Sequence, residues 1–182
     1  MPELVVPDRP LTDGVIALRP FTLDDLDWVT EGCQDPGVAR FTGVPQPYTL
    51  DHAREWIDGH AERQARGEAM HLAVTAADDG APLGAVGLQG LNWTHVRAEI
   101  GYWVGPWARG RETAPRAVRV MAAHAFEIGL HRIEILPYVD NPASQRVAEK
   151  AGAHREGVLR SYFLARGERH DCVMYALLPG DL

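Results

Sequence analysis

The sequence predicts a fold of mixed helices and strands, either α/β or α+β. Three observations lead to this class: strand-like and helix-like segments alternate along the chain, a long amphipathic helix occupies its middle, and 182 residues suffice for one sizeable core. We therefore expect residues 1–182 to form a single domain.

Each element follows from a local pattern. The strands are alternating or β-branched runs bounded by turn residues, and the helices carry apolar residues three and four positions apart. In order, the predicted elements are a strand over 15–19, helices over 23–33 and 50–66, strands over 71–76, 83–89 and 97–104, a helix over 113–128, a strand over 133–136, a helix over 142–151, and strands over 158–164 and 171–178.

The two helices nearest the N terminus have clear start signals. Thr22, with Asp25 three residues later, is typical of a capping box, and Thr49 caps the second helix. Between them, residues 34–48 contain several prolines and glycines, which predicts a loop or a broken helix. The next three strands read as an antiparallel meander, the first two joined by a turn at Gly80.

The helix after Asn141 is short and well delimited. Asparagine is a favoured N-cap, Pro142 suits the first helical position, and Gly152 suits the C-terminal end. Ser144 lies on the same face as the residues expected to pack inward, because positions three and four apart share a face. Its hydroxyl should therefore point toward the interior or a cleft and need a hydrogen-bond partner there.

Composition narrows the classes of function. The net charge of −7 argues against a nucleic-acid partner, since neutralising phosphates needs a broad basic face. No apolar run is long enough to cross a membrane, and residues 1–10 lack the pattern of a secretory signal. Cys33 and Cys172 are too few for a disulfide framework or a zinc site. We therefore expect a cytoplasmic protein with no metal and no membrane partner.

Residues 141–152 carry a recognisable motif, NPASQRVAEKAG. This motif resembles the C-terminal motif of the GNAT N-acetyltransferases, particularly the RimJ/RimL-like branch that acetylates ribosomal-protein N termini. The order of elements and the tail over 156–171 are also similar to that branch. The resemblance implies the GNAT fold, a central mixed, splayed sheet of about seven strands flanked by about four helices, and an acetyltransferase that uses acetyl-CoA (coenzyme A) as co-substrate.

A candidate anion site precedes the long helix. The loop over 105–114 ends at a helix N terminus, where unpaired amides and the helix dipole attract anions, and Arg109 and Arg111 add positive charge. The loop resembles the GNAT diphosphate loop, with Glu112 in place of its central glycine. We expect Glu112 to turn away from the phosphates and to pair with Arg116. Taken alone, the loop is equally compatible with an arginine-rich surface turn.

The resemblance implies further cofactor contacts from the sheet and from the Asn141 helix. Backbone amides late in the strand over 97–104 would meet the thioester carbonyl or pantetheine, and Asn141 would contact pantetheine, serve only as the cap, or do both. The candidate cofactor-binding residues are Trp103, Val104, Arg109, Gly110, Arg111, Glu112, Thr113, Ala114, Asn141 and Ser144.

Ser144 and Glu99 are the candidate catalytic residues. The tyrosine acid common in the family is replaced by Ala148, so Ser144 is the candidate to hydrogen-bond the leaving sulfur; alternatively, its hydroxyl bonds a backbone carbonyl one turn back. Glu99 occupies a strand position that resembles that of a catalytic glutamate in several GNAT enzymes; alternatively, it pairs with a neighbour such as Arg97. Phe163 stands where some relatives carry a glutamate base.

A weak or absent base favours an acceptor amine of low pKa. At pH 7 an α-amine is roughly 10–15% neutral and a lysine amine under about 0.1%. The sequence therefore predicts a protein or peptide N-terminal α-amine, with a small-molecule amine or an acyl-CoA-binding module without catalysis as alternatives. Residues 34–48 and 166–170 are expected to recognise the acceptor. A homodimer is compatible with the sequence, which has no feature that decides the oligomeric state.

Overall fold

The structure, a computed structural model, describes Leu4 and residues 10–182; the prediction about a secretory signal falls mostly outside this range. One eight-stranded sheet has the strand order β1-β2-β3-β4-β5-β6-β8-β7, and its neighbouring strands are antiparallel except β5 and β6, which are parallel. The strands are β1 (Leu11–Thr12), β2 (Ile16–Arg19), β3 (Met70–Ala76), β4 (Pro82–Asn92), β5 (Arg97–Val104), β6 (Arg132–Ile135), β7 (His154–Ala165) and β8 (Glu168–Leu177).

Helices cover both faces of this sheet. Within the described residues the α-helices are α1 (Leu26–Gln34), α2 (Pro36–Phe41), α3 (Leu50–Asp58), α4 (His60–Ala65), α5 (Thr113–Glu127) and α6 (Pro142–Lys150), and none is long and apolar enough to cross a membrane. The mixed fold is thus confirmed, with the predicted number of strands and helices approximately right. The predicted helix over 50–66 is interrupted at Gly59, which separates α3 from α4.

Two of the predicted caps start α-helices: Thr49 starts α3 and Asn141 starts α6. The Asn141 side chain accepts a hydrogen bond from the Ser144 amide at 3.1 Å, which starts α6. Asp35 accepts from the Val38 amide at 3.0 Å and starts α2 inside the segment predicted to be a loop or broken helix. The helix predicted after Thr22 begins instead as a single 3₁₀ turn, Leu23–Asp25, before α1 continues it.

Two apolar clusters lie on opposite faces of β5. The larger contains the buried stripe of α5 and the small residues of α6, together with Ala98 and Ile100 of β5. The smaller joins α1 and α3, and Trp103 of β5 packs against it. Because successive side chains of a strand alternate between faces, β5 separates the α5–α6 side of the molecule from the α1–α3 side.

The sheet opens along the second half of β5. Parallel pairing with β6 covers only Arg97 to Glu99, whereas antiparallel pairing with β4 continues to Val104. From Ile100 onward, the edge of β5 that faces away from β4 has no neighbouring strand, because β6 ends at Ile135 and the chain turns toward α6. The backbone groups of that edge are therefore free to bind another molecule. This is the predicted splay of the sheet.

Candidate active site

Two hydroxyls meet beside the opening of the sheet. The Tyr102 hydroxyl, on β5, lies 2.7 Å from Ser144 Oγ and 3.2 Å from the Ser144 carbonyl oxygen, in the first turn of α6. The alternative in which Ser144 bonds a carbonyl one turn back is wrong: its hydroxyl bonds Tyr102. Burial raises the pKa of Tyr102 to about 12, although its hydrogen bond to Ser144 lowers it slightly. Tyr102 is therefore a neutral phenol at physiological pH.

Glu99 occupies the last position at which β5 and β6 are paired, opposite Glu134. Its carboxylate accepts a hydrogen bond from the Gln89 side-chain amide at 3.1 Å. The alternative pairing with Arg97 is wrong, because Arg97 binds Glu134 at 2.7 Å. Burial raises the pKa of Glu99 above its usual value; the Gln89 hydrogen bond opposes this shift and the charge of Glu134 adds to it. A carboxylate whose pKa is raised in this way is a stronger base than a fully exposed one.

Aromatic residues pack on the face of β5 that Glu99 shares with Trp103. The Trp103 ring lies 5.8 Å from the Trp28 ring, centroid to centroid. A Cβ at Gly32 would come within 2.5 Å of the Trp103 ring, so this glycine permits the close approach of α1 to β5. The Trp103 side chain is therefore a packing residue, and only its backbone remains available for the predicted cofactor contact.

A pair of histidines joins this aromatic cluster through Phe21, whose ring lies 5.9 Å from the Trp28 ring and 5.3 Å from the His60 ring. The His60 and His71 rings stack with centroids 5.2 Å apart and planes 20° apart. Nε2 of His60 and Nδ1 of His71 are buried with no hydrogen-bond partner in the described part of the chain. Burial lowers the pKa of His60 to about 3 and that of His71 to about 4, although a hydrogen bond to Gln89 opposes the shift at His71. Both imidazoles are thus neutral at pH 7, and Gln89 connects His71 to Glu99.

The loop over 105–114 has a charge arrangement different from the predicted one. Glu112 does not pair with Arg116: its carboxylate lies 2.5 Å from Lys150 Nζ at the end of α6, and Arg116 binds Asp13 at 2.7 Å. Glu112 has φ = 59°, the left-handed conformation that favours glycine, and this explains the glycine of the family motif at this position. The predicted pairing of Glu112 with Arg116 is therefore wrong, and the partner of Glu112 is on another helix.

The two loop arginines have different surroundings. Arg109 binds Asp35 at the start of α2, with 2.5 Å between Nη2 and Oδ1, and this hydrogen bond lowers the pKa of Asp35. Arg111 is exposed and has no ion pair among the described residues. The side chains of Thr113 and Ala114 are buried, so only their backbone can meet a ligand. Of the predicted charges, Arg111 is the one that an incoming anion can bind without breaking an ion pair.

The two segments predicted to recognise the acceptor contact each other. Arg166, at the β7–β8 turn, donates a hydrogen bond to the Ala39 carbonyl of α2 at 2.6 Å. The Tyr138 ring stacks on His170 at 4.8 Å and meets the edge of Phe41 at 6.0 Å. The structure therefore brings α2 and the β7–β8 hairpin together around Tyr138, just ahead of α6.

Tyr102 and Tyr138 are site residues that sequence reasoning missed. Strand alternation places Tyr102 on the face opposite to Glu99 and Trp103, and this pattern could have indicated that Tyr102 faces α6. No local pattern indicates the role of Tyr138, because its partners come from distant segments. Phe163, where the alternative base is missing, packs against Tyr138 at 5.6 Å. Within residues 10–182 no cluster of three or more His, Cys, Asp or Glu side chains is arranged to hold a metal ion.

Comparisons with known proteins agree with this geometry. Residues 16–154 match the acetyltransferase (GNAT) domain family. The chain is 29% identical over 170 residues, 92% of this chain and 94% of the relative, to the uncharacterized N-acetyltransferase YoaA of Bacillus subtilis. It is 27% identical over 127 residues, 69% of this chain and 70% of the relative, to the ribosomal-protein-serine acetyltransferase of Escherichia coli. The fold is similar to that of Mycobacterium smegmatis RimJ in complex with CoA-disulfide, with a TM-score of 0.83 at 23% identity over 96% of this chain and 88% of the other.

Proposed function

The chain belongs to the GNAT acetyltransferase family and is an N-acetyltransferase with acetyl-CoA as donor, and from this premise we propose that it acetylates the N-terminal α-amine of a protein or peptide. The observation that carries the proposal is the state of Glu99: a half-buried carboxylate with a raised pKa and no ion pair among the described residues, at the point where β5 and β6 separate. Such a group suits an amine that needs only modest help to lose its proton.

The residues around the opening fit acetyl-CoA, which supplies an acetyl group activated as a thioester. The free edge of β5 from Ile100 to Val104 offers backbone groups to the carbonyl and to pantetheine, with the Asn141 amide on the opposite wall. We assign the diphosphate to the start of α5, where unpaired amides follow Gly110 and Arg111 has no ion pair. We also propose, as the sequence predicts, that residues 1–182 form a single domain.

In the proposed reaction, the acceptor nitrogen forms a bond to the acetyl carbonyl carbon. The carbon–sulfur bond breaks, and its electron pair stays on sulfur. Glu99 accepts the proton that the nitrogen loses, and its raised pKa makes it a better acceptor than an exposed glutamate. Ser144 Oγ hydrogen-bonds the departing sulfur and stabilises its negative charge.

An α-amine is the acceptor that this arrangement suits best. A glutamate whose pKa is raised by burial still lies far below a lysine ammonium of pKa near 10.4, but closer to an α-ammonium of pKa about 7.7–8.0. The difference in the free amine fraction at pH 7 is worth about 3–4 kcal/mol. The Escherichia coli relative is named for a ribosomal protein, which favours a protein N terminus over a small-molecule amine.

The test uses matched peptides that differ only in which amine is free. One peptide has a free α-amine and a blocked lysine side chain, and the other has an acetylated N terminus and a free lysine side chain. Release of free CoA thiol gives kcat/KM for each, and we expect the α-amine peptide to be preferred at least tenfold. A preference for the lysine peptide, or for a small amine over both, contradicts the proposed acceptor. Binding of acetyl-CoA without thiol release across the panel would identify a binding module instead.

A further inference from the structure

We propose that Tyr102 is a positioning residue whose O–H donates to Ser144 Oγ and so directs the Ser144 hydrogen toward the departing sulfur. This inference rests on the proposed function and deepens it, because it explains how a serine hydroxyl acts where no tyrosine follows Asn141 by seven residues. That position holds Ala148, which is fully buried. A phenol from β5 supports the serine instead.

The contact joins the two walls of the opening. Tyr102 belongs to the part of β5 that has β4 on one side and no strand on the other. Ser144 belongs to the first turn of α6, and its amide is already fixed by the Asn141 cap at 3.1 Å. The 2.7 Å contact from Tyr102 then fixes the hydroxyl as well. Ser144 is thus held at two atoms, which leaves little freedom in the direction of its remaining hydrogen.

The direction of the Tyr102–Ser144 hydrogen bond decides which hydrogen is left free to meet a ligand. Each has one hydrogen to donate and lone pairs to accept with. When Tyr102 donates to Ser144 Oγ, the serine hydrogen is left for a third atom; the other acceptor of Tyr102, the Ser144 carbonyl, is farther away at 3.2 Å. In the opening of the sheet, the developing thiolate is the acceptor that benefits most from this hydrogen.

Tyr102 itself is not the source of a proton. Burial raises its pKa to about 12, whereas an ordinary thiol has a pKa near 8.5, so transfer from the phenol to a thiolate is unfavourable. The same burial keeps the phenol protonated from pH 6 to 10. Tyr102 is therefore a constant hydrogen-bond donor over the working range of the enzyme, and its effect on the rate should not change with pH.

The experiment compares Tyr102→Phe, Ser144→Ala and the double variant. We expect Tyr102→Phe to lower kcat about tenfold, equally at pH 6.5 and 9, with KM for acetyl-CoA and the affinity for CoA within twofold of wild type. We expect the double variant to be no slower than Ser144→Ala, because Tyr102 acts only through Ser144. Rates are expressed per CoA-binding site counted by calorimetry, so that a partly unfolded variant is not mistaken for a slow one.

Tyr175→Phe is the matched control. Tyr175 is also a buried tyrosine, and its hydroxyl also donates to α6, at 3.0 Å from Glu149 Oε1, but it does not contact Ser144. Its loss should leave kcat within twofold. Three results overturn this inference but leave the proposed function intact. They are a kcat of Tyr102→Phe equal to that of wild type, a loss confined to KM, and a double variant slower by the product of the two single effects. Absence of thiol release by the wild type overturns it together with the proposed function.

Discussion

The charged and titratable side chains on the two faces of β5 differ in how far they are exposed to solvent. On the α1–α3 face, Glu99 and the pair His60 and His71 are half-buried, and this partial burial shifts each pKa toward the neutral form. On the α5–α6 face, the ion pair between Glu112 and Lys150 is about half exposed, and so is Arg109. In the proposed function, the first face therefore carries the group that accepts the proton, and the second carries the groups that would bind the cofactor and position α6.

This division follows from one strand that separates from its neighbour. Glu99 and Tyr102 lie on opposite faces because they are three residues apart on one strand and side chains alternate. Because pairing with β6 stops at Glu99, the opening borders both faces of β5. In the proposed reaction, the proton acceptor and the group that stabilises the leaving sulfur are therefore on different faces of the strand. Substitutions on the two faces should accordingly have different signatures.

The largest effect is expected on the α1–α3 face, from Glu99→Gln. Loss of the base should lower kcat/KM for a peptide α-amine by about 10²–10⁴-fold, because general base catalysis contributes about that much. The affinity for CoA should change less than threefold, since Glu99 lies on the acceptor side. Thiol release and calorimetry measure the two quantities.

Glu99→Asp is the matched variant for this test, because it retains the carboxylate but shortens its reach. It should keep more activity than Glu99→Gln. If both variants act at the wild-type rate, proton removal occurs elsewhere, and the division between the two faces would fail at its most important residue.

A smaller effect on the same face is the pH dependence of stability. The folded pKa values of His60 and His71, about 3 and 4, lie below the ordinary value of 6.5. Below pH 6.5 the unfolded chain therefore binds protons that the folded chain does not, and the free energy of unfolding falls as pH falls toward 4. Each histidine contributes up to about 1.4 kcal/mol per pH unit in this window.

Chemical denaturation at pH 7, 6, 5 and 4 measures this slope. His71→Gln should make it shallower, whatever the substitution costs at pH 7. The control is His95→Gln, because His95 is exposed in the β4–β5 turn and its loss should leave the slope unchanged. An unchanged slope in His71→Gln would mean that the buried pair does not govern acid unfolding.

On the α5–α6 face, Asn141→Ala should cost about 1 kcal/mol of stability, because it removes the cap of α6. Asn141→Ser retains a capping oxygen and should stay within about 0.5 kcal/mol of wild type in a urea titration. If Asn141 also contacts pantetheine, both variants bind CoA more weakly. If it serves only as the cap, Asn141→Ser binds CoA as the wild type does.

Features fixed by local chemistry were predictable from the sequence. The cap at Asn141, the alternation of β5 and the long helix α5 each depend on neighbours within a few residues. The partners of side chains were not predictable, because they come from distant parts of the chain. Glu112 was expected to pair one helical turn away but meets Lys150, and Glu99 has Gln89 rather than Arg97 as its partner.

The smallest effect is expected from Glu112→Gly. Its sign shows whether the charge of Glu112, on the α5–α6 side, affects CoA binding. Glycine removes the left-handed strain of Glu112, about 1 kcal/mol, but also breaks an exposed ion pair worth about 0.2–1 kcal/mol. Stability should therefore change by less than about 1 kcal/mol, and CoA should bind less than tenfold more tightly, since Lys150 already neutralises the carboxylate. Glu112→Gln is the control that removes the charge and keeps the strain. A hundredfold gain in affinity in both variants would show that the Glu112 charge acts on the diphosphate despite Lys150, and the two faces would then differ less than their burial indicates.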